Sequence, residues 1–340
     1  MSSEEQWPCP DGLVMRVQPP EHPVAAAEEA DAADAARRYA HYIIRGPLFG
    51  VAARGPGEVG WRVVAPVMEG FPQESRDVLN SYLWLKAKDD TDDPAVRREL
   101  LAAVHRLENE AVDELTVCGV RYRVVRAEEY VYTNADGLEP PRPSDRDVLV
   151  PDWFGMPDEP DLDEGFVIDH AAITGIAAGS ERLALRELRY RSERYPEDVR
   201  ADSLAALGTH PGTVVLPAAF RVVERTDDGW EPFSAVVATP HAARRTLVTA
   251  LTEMWPRMYA LDADETAEYE RIADRFRAAG RANELAVGDR MFHIVRIGRM
   301  VRIGLDGPEP PRPSDTDAYG PSKIRPTMDE NGVITHSSEE

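Results

Sequence analysis

The chain has 340 residues, of which 43% are hydrophobic and 29% charged, and its formal net charge is −22. This composition is typical of a folded globular protein rather than a disordered or fibrous one, and the length favours two packed cores. No apolar run approaches the roughly 18–20 residues of a membrane helix, and the N-terminus lacks the pattern of a secretion signal. With only two cysteines, Cys9 and Cys118, no disulfide framework is indicated. We therefore expect a soluble cytoplasmic protein without membrane contact.

The acidity is concentrated in three segments. Residues 1–35 hold eight acids and one base, 134–169 eleven acids and two bases, and 306–340 eight acids and three bases. This distribution favours solubilising tails and a connector. The net charge alone leaves open an acidic immunity-like or antitoxin-like protein that neutralises a basic effector. A sequence pI near 4.8, without interleaved aromatic and basic residues, argues against nucleic-acid binding.

In the first part of the chain, a flexible acidic N-terminus (1–24) precedes a folded unit over 25–133. Its expected elements are an alanine-rich helix (24–41), a strand (43–54), a strand that opens at Trp61, a helix (73–87), a second helix that starts at Asp93-Pro94, and a long strand (121–133). Apolar spacing predicts the 73–87 helix, and an aspartate followed by proline is a common helix start.

The second part begins after residues 134–168, whose prolines and acids predict a linker too polar for a core. A second unit over 169–305 has leading helices within 181–207, a strand near 214–225, a helix over 241–255 and another that starts at Asp262. Residues 306–340 are expected to form a Pro-rich exit and a polar tail. We expect removal of residues 1–20 and 326–340 to leave the thermal stability almost unchanged, because they offer little apolar surface.

An internal repeat links the two units. DGLEPPRPSD at 136–145 recurs as DGPEPPRPSD at 306–315, with nine identities in ten. At similar spacing 121–133 aligns with 291–303 and 43–54 with 214–225. We therefore predict an α+β fold of two tandem strand-strand-helix-helix-strand copies in a pseudo-twofold arrangement, like a fused homodimer. The chain is then a monomer with an internal pseudo-dimer, or a homodimer.

The repeated DGxEPPRPSD segment, preceded by a strand that ends in Val301-Arg302-Ile303-Gly304, resembles an uncharacterised actinobacterial domain of unknown function. The first copy departs from this pattern at Asn134-Ala135 and at Leu138. The resemblance supports the boundaries of the fold. It implies no activity, cofactor or catalytic residue.

Four arginines are the candidate ligand or partner contacts. Arg126 and Arg296 occupy matching strand positions, and Arg142 and Arg312 lie within the two Pro-Pro-Arg-Pro motifs. A basic stripe on the strands would receive an anionic ligand, although arginines also occur on solvated strands. The Pro-Pro-Arg-Pro motifs satisfy the spacing of polyproline ligands. Their equivalent places favour a rigid turn in which Arg142 and Arg312 bond acids such as Glu139 and Glu309.

No catalytic, cofactor-binding or metal-binding motif is recognised in the sequence. The eight histidines lack zinc-site spacing. The favoured interpretation is a non-catalytic interaction or regulatory protein with a possible protein partner. The alternative is an enzyme or small-molecule binder with an anionic-ligand pocket between the two units. Trp61 and Trp230, each after a glycine, are expected to be buried anchors in equivalent places.

Overall fold

The computed structural model describes residues 5–8, 13–148, 150–153, 160–163 and 165–335. Helices pack on one large antiparallel sheet, which confirms the α+β class. Among the described residues, no helix has both the length and the apolar character required to span a membrane.

The first half of the chain follows the expected order, with a short strand added before the long one. Its elements are β1 (Glu5–Pro8), β2 (Val14–Val17), α1 (Pro23–Arg38), β3 (His41–Arg54), β4 (Trp61–Glu69), α2 (Pro72–Asp89), α3 (Pro94–Leu107), β5 (Glu114–Val117) and β6 (Val120–Thr133).

The second half begins with two very short strands and two helices. Its elements are β7 (Val167–Ile168), β8 (Ile173–Thr174), α4 (Ile176–Leu185), α5 (Glu197–Thr209), β9 (Gly212–Val215), β10 (Ala219–Thr226), β11 (Gly229–Pro232), α6 (Pro240–Thr249), a π-helical turn (Ala250–Met254), α7 (Trp255–Met258), α8 (Ala263–Ala278), β12 (Glu284–Val287), β13 (Arg290–Gly304), β14 (Gly307–Pro308), β15 (Thr327–Met328) and β16 (Ile334–Thr335).

The two helix starts predicted at aspartates are confirmed. The Asp93 side chain accepts a hydrogen bond from the Ala95 N–H at 2.8 Å. The Asp262 carboxylate accepts from two N–H groups of the first turn of α8, and Glu265 accepts from the Asp262 N–H at 3.0 Å. These bonds satisfy backbone donors that have no partner within the helix.

In the large sheet the main strand order is β11-β10-β13-β6-β3-β4-β7. The two long strands, β6 and β13, lie side by side at its centre. In each half, the first hairpin strand (β3 or β10) pairs with the long strand and the second (β4 or β11) lies outside it. The strand order is therefore the same in both halves.

The register of β6 on β13 is symmetric under an exchange of residues that are 170 positions apart in sequence. Gly298 lies opposite Tyr130, Met300 opposite Glu128, and Arg299 opposite Glu129. Exchanging each residue for the one 170 positions away leaves this pairing unchanged, with the Glu129–Arg299 pair at its centre.

Each repeated DGxEPPRPSD segment crosses to the other half of the molecule. We call residues 136–145 the first crossing segment and 306–315 the second. The Arg126 N–H donates to the Glu309 carbonyl, and the Arg296 N–H donates to the Glu139 carbonyl, both at 2.9 Å. The crossing segment that leaves one half therefore lies along the long strand of the other.

An aspartate that follows each crossing segment also binds a helix of the other half. Asp147 accepts from the His241 N–H and from Arg244 of α6, at 3.0 and 2.9 Å. Asp317 accepts in the same way from the Gln73 N–H and from Arg76 of α2, both at 2.6 Å. These acids, expected to solubilise connectors, neutralise buried arginines instead.

A hydrophobic core shared by the two halves lies on the strands. Val63 and Val125 of the first half belong to the same buried cluster as Val223 and Val295 of the second. Two further clusters lie beneath the helix pairs α2–α3 and α6–α8. Each half therefore has a buried cluster of its own beneath its helices, and the central cluster is shared by both halves.

The described residues of the segment 134–168 are more buried than its composition indicated. Leu162 and Ile168 join the shared core, and Asp163 is buried as an ion-pair partner. A carboxylate can occupy such a place because a guanidinium and N–H donors compensate for its lost hydration.

The chain ends are also partly docked, contrary to the expectation that they bury little. Leu13 and Met15 are buried near the N-terminus, and Met328 is buried against α2 and α3. The Trp84 Nε1–H donates to the Pro326 carbonyl at 3.0 Å. Apolar side chains that are scattered in polar sequence supply these anchors.

The two tryptophans differ in burial. Trp61 is 2% exposed and packs closely against Gly307, as expected for an anchor. Trp230 is only half-buried and stacks edge-on against His293, with ring centroids 4.7 Å apart. The expectation of two buried anchors is therefore correct for Trp61 and wrong for Trp230.

Candidate functional site

Two charged clusters lie where the crossing segments meet the central strands. In the first, which we call the closed cluster, all side chains are buried, and three guanidiniums face three carboxylates. It comprises Arg126, Glu128, Arg302, Glu309, Arg312 and Asp315. Arg126 and Arg312 both contact Glu128, at 2.6 and 3.0 Å.

The connection between α4 and α5 covers the closed cluster. Its Tyr190 hydroxyl donates to Glu128 at 2.7 Å, and its backbone carbonyls at Arg186 and Leu188 accept from Arg302. Burial alone would raise the pKa of Glu128, but Arg126 and Arg312 lower it to about 2. Glu128 is therefore ionised and fully compensated, which leaves no place for a ligand.

The second cluster, which we call the open cluster, lies 170 positions away in sequence. It has two guanidiniums and three carboxylates and comprises Glu139, Arg142, Asp145, Glu181 and Arg296. Arg296 donates to Asp145 at 3.1 Å, and Arg142 donates to Glu139 at 2.6 Å. The predicted bond of Arg142 to Glu139, and that of Arg312 to Glu309, are confirmed.

Two substitutions distinguish the open cluster from the closed one. Gly298 stands where the closed cluster has Glu128. The Tyr130 ring lies against Gly298 and fills the space that a side chain there would need, because a Cβ on Gly298 would clash with that ring. The Tyr130 hydroxyl donates to Glu181 of α4 at 2.8 Å. Tyr132 stands where the closed cluster has Arg302. The open cluster has therefore lost one carboxylate and one guanidinium relative to the closed one, and Glu181 of α4 brings its carboxylates back to three.

A cleft of about 910 Å³ reaches the open cluster from solvent. It lies between α1, the first crossing segment, α4 and the β9–β10 connection, and Arg142, Asp145, Glu181 and Arg296 line it. Its size suits a small-molecule site.

A second chamber of about 440 Å³ adjoins the cleft between α1 and α4, and Arg142 and Glu181 line both spaces. Tyr39, Tyr132 and Glu139 face the chamber, and the rest of its wall consists mainly of alanines. The two spaces together form a wide acidic cleft and a smaller, more apolar chamber beside it.

The electrostatic character of both spaces is negative. Seven carboxylates and three arginines line the cleft. Burial, then Glu181 and Glu139, raises the pKa of Tyr132, and burial together with Glu139 raises the pKa of Tyr39. A nearby negative charge disfavours the phenolate. A cation is stabilised by the same field.

The four arginines named from the sequence therefore do not present free positive charge. Arg126 and Arg312 are buried in the closed cluster, while Arg142 and Arg296 are paired in the open one. The sequence-based reasoning missed Glu181 and Tyr132. Aligning the repeats would have exposed the Arg302-to-Tyr132 difference, but Glu181 lies in α4, outside the aligned segments.

Within the described part of the chain, no group of three or more His, Cys, Asp or Glu residues could hold a metal ion.

A family model described as a family of unknown function, DUF5954, matches residues 22–318. No curated protein matches the chain. No solved structure matches it either.

Proposed function

Because the chain belongs to the DUF5954 family, whose function is not known, we propose a function from the site itself. The protein binds a small organic cation in the cleft and chamber beside α1 and α4. It acts as a non-catalytic regulatory or interaction protein in the cytoplasm.

The observation that carries this proposal is the excess negative charge at the open cluster. Three carboxylates, Glu139, Asp145 and Glu181, meet only two guanidiniums there, and the cluster faces two adjoining cavities. A carboxylate whose charge is not balanced by a guanidinium is stabilised by a bound cation, even where a neutral donor such as the Tyr130 hydroxyl bonds to it. The anionic ligand expected from the arginines is disfavoured, because those arginines already have carboxylate partners.

The proposal includes an origin for the site in a duplicated unit arranged about a pseudo-twofold axis. The shared strand order, the symmetric β6–β13 register and the reciprocal crossing segments support it. In this scheme one copy of a charged cluster is closed by Tyr190 and serves the fold. The other is open and serves binding.

Thermal-shift measurements with primary amines and guanidines, against carboxylates and phosphates of similar size, test the proposal. We expect organic cations to raise the melting temperature and anions to leave it unchanged. The Glu181→Gln variant should lose the response, and Glu270→Gln, an exposed carboxylate on α8, should keep it. Stabilisation by anions alone would refute the proposal.

A protein contact is a second candidate, and one surface favours it. Met254, Met258 and Tyr259 are 47, 64 and 53% exposed beside the π-helical turn, and such turns are frequent at functional sites. A second copy of the chain is the first partner to test. Light scattering should then report a dimer for the wild type and a monomer for Met258→Glu. A wild-type monomer would exclude self-association through this surface.

A further inference from the structure

We infer that the ligand's cationic group takes, in the open cluster, the place that the Arg302 guanidinium holds in the closed cluster. The ligand is then an amine or guanidine with a compact apolar body, which lies in the alanine-walled chamber. This inference rests on the proposed function and specifies its ligand.

The backbone establishes that Tyr132 and Arg302 occupy matching places. The Glu139 N–H donates to the Tyr132 carbonyl, and the Glu309 N–H donates to the Arg302 carbonyl, both at 2.9 Å. The same glutamates hold Arg142 and Arg312. The backbone at the two positions, and the Arg–Glu bond beside each, therefore correspond.

Charge balance indicates what is missing at Tyr132. In the closed cluster, burial lowers the pKa of Arg302, and the nearby carboxylates of Glu309 and Glu128 oppose that effect. The guanidinium itself donates to the Arg186 and Leu188 carbonyls. At the matching position, Tyr132 lies near Glu181 and Glu139 but carries no positive charge. A cation bound beside Tyr132 would restore the balance of three charges of each sign.

The chamber beside Tyr132 limits the rest of the ligand. Ala32, Ala33 and Ala36 of α1 face Ala177 and Ala184 of α4 across it. A volume of about 440 Å³ admits a compact body of about the size of a single ring. Apolar walls favour a hydrocarbon body over an extended polyamine, which would leave polar groups without hydrogen bonds.

Cyclohexylamine, cyclohexanol and cyclohexanecarboxylate provide probes of nearly equal shape and different charge. Isothermal titration with the full chain should show cyclohexylamine binding at least tenfold more tightly than cyclohexanol and no binding of the carboxylate. Equal affinity for the amine and the alcohol would overturn the inference about the cation.

The Tyr132→Arg variant supplies the missing guanidinium from the chain. We expect it to abolish cyclohexylamine binding and to raise the ligand-free melting temperature by about 1–2 °C, equivalent to roughly 1 kcal/mol for a chain of this size. Tyr132→Phe, which adds no charge, should bind the amine within about threefold of the wild type, a change under roughly 1 kcal/mol. Unchanged amine binding by Tyr132→Arg would overturn the inference.

The Ala32→Leu variant tests the position of the apolar body. It should weaken cyclohexylamine at least tenfold while methylamine binding stays unchanged. Ala27→Leu, on the exposed side of the same helix, is the matched control. If no organic cation binds the wild type, the proposed function itself fails. If cations bind and Ala32→Leu has no effect, only the placement in the chamber fails.

Discussion

At the scale of single residues, the Arg299–Asp163 ion pair is the most deeply buried charge contact among the described residues. Both side chains are 0% exposed, and two N–H···O bonds of 2.6 Å join them. Arg299 also donates to the Val67 and Pro217 carbonyls. The guanidinium therefore connects both halves of the chain with the segment between them.

Replacement of one member of this pair leaves the other charge buried in the core without its partner. We expect Arg299→Met to lower the free energy of unfolding by about 3–5 kcal/mol. The double variant with Asp163→Leu should recover part of that loss, because neither charge remains. Urea denaturation of the four proteins in a double-mutant cycle measures the coupling. Strictly additive losses would show that the two side chains do not interact.

Glu128 makes the closed cluster sensitive to acid. Because its pKa is lowered to about 2 in the folded protein, below the unfolded value of about 4.3, its contribution is complete above the unfolded value. It is lost as the pH falls from about 4.3 toward 2. The stability of Glu128→Gln should therefore fall less steeply than that of the wild type over this range, as measured by urea denaturation at stepped pH. Parallel curves would contradict this assignment.

Trp61 and Trp230 provide a comparison within one chain. Trp61→Ala should cost about 3–5 kcal/mol, the usual range for a buried aromatic residue. Trp230→Ala should cost less than about 2 kcal/mol, because part of its ring is already in water. The denaturant midpoints of the two variants measure both losses of stability, provided that the free energy of unfolding has the same slope against denaturant concentration. Equal losses would show that the difference in exposure has no energetic consequence.

At the scale of elements, the composition indicated that the segments after the two long strands are connectors. In the structure they are the crossing segments and the docked chain that follows them. The helix starts and the Arg142–Glu139 bond were predictable, because their partners lie two or three residues apart. The Arg126–Asp315 bond spans 189 positions. Nothing local distinguishes an acid that meets a distant arginine from one that meets water. The repeat revealed matching elements, but not that their ends are exchanged.

The C-terminal hairpin of β15 and β16 illustrates the energetic consequence. Met328 is 7% exposed, whereas Val333 in the same hairpin is 60% exposed. Met328→Ala should destabilise the protein by about 2 kcal/mol or more, and Val333→Ala should change stability by less than about 0.5 kcal/mol. Thermal unfolding of both variants measures the difference. A neutral Met328→Ala would restore the expectation of a dispensable tail.

At the scale of the whole molecule, the exchanged segments make the two halves mutually dependent. Neither half keeps its long strand and its helices satisfied without acids that belong to the other. We therefore expect one calorimetric unfolding transition, with equal calorimetric and van't Hoff enthalpies. Arg126→Met should shift that entire transition. Two separable transitions would show that the halves fold independently.

The Glu129–Arg299 pair at the centre of the β6–β13 register restricts how this chain can evolve. A chain built from two first halves would place two glutamates opposite each other at that point, and one built from two second halves would place two arginines there. Like charges directly opposite on neighbouring strands are destabilising. A chain in which both halves were identical would therefore be destabilised at this point, and each half requires a partner unlike itself.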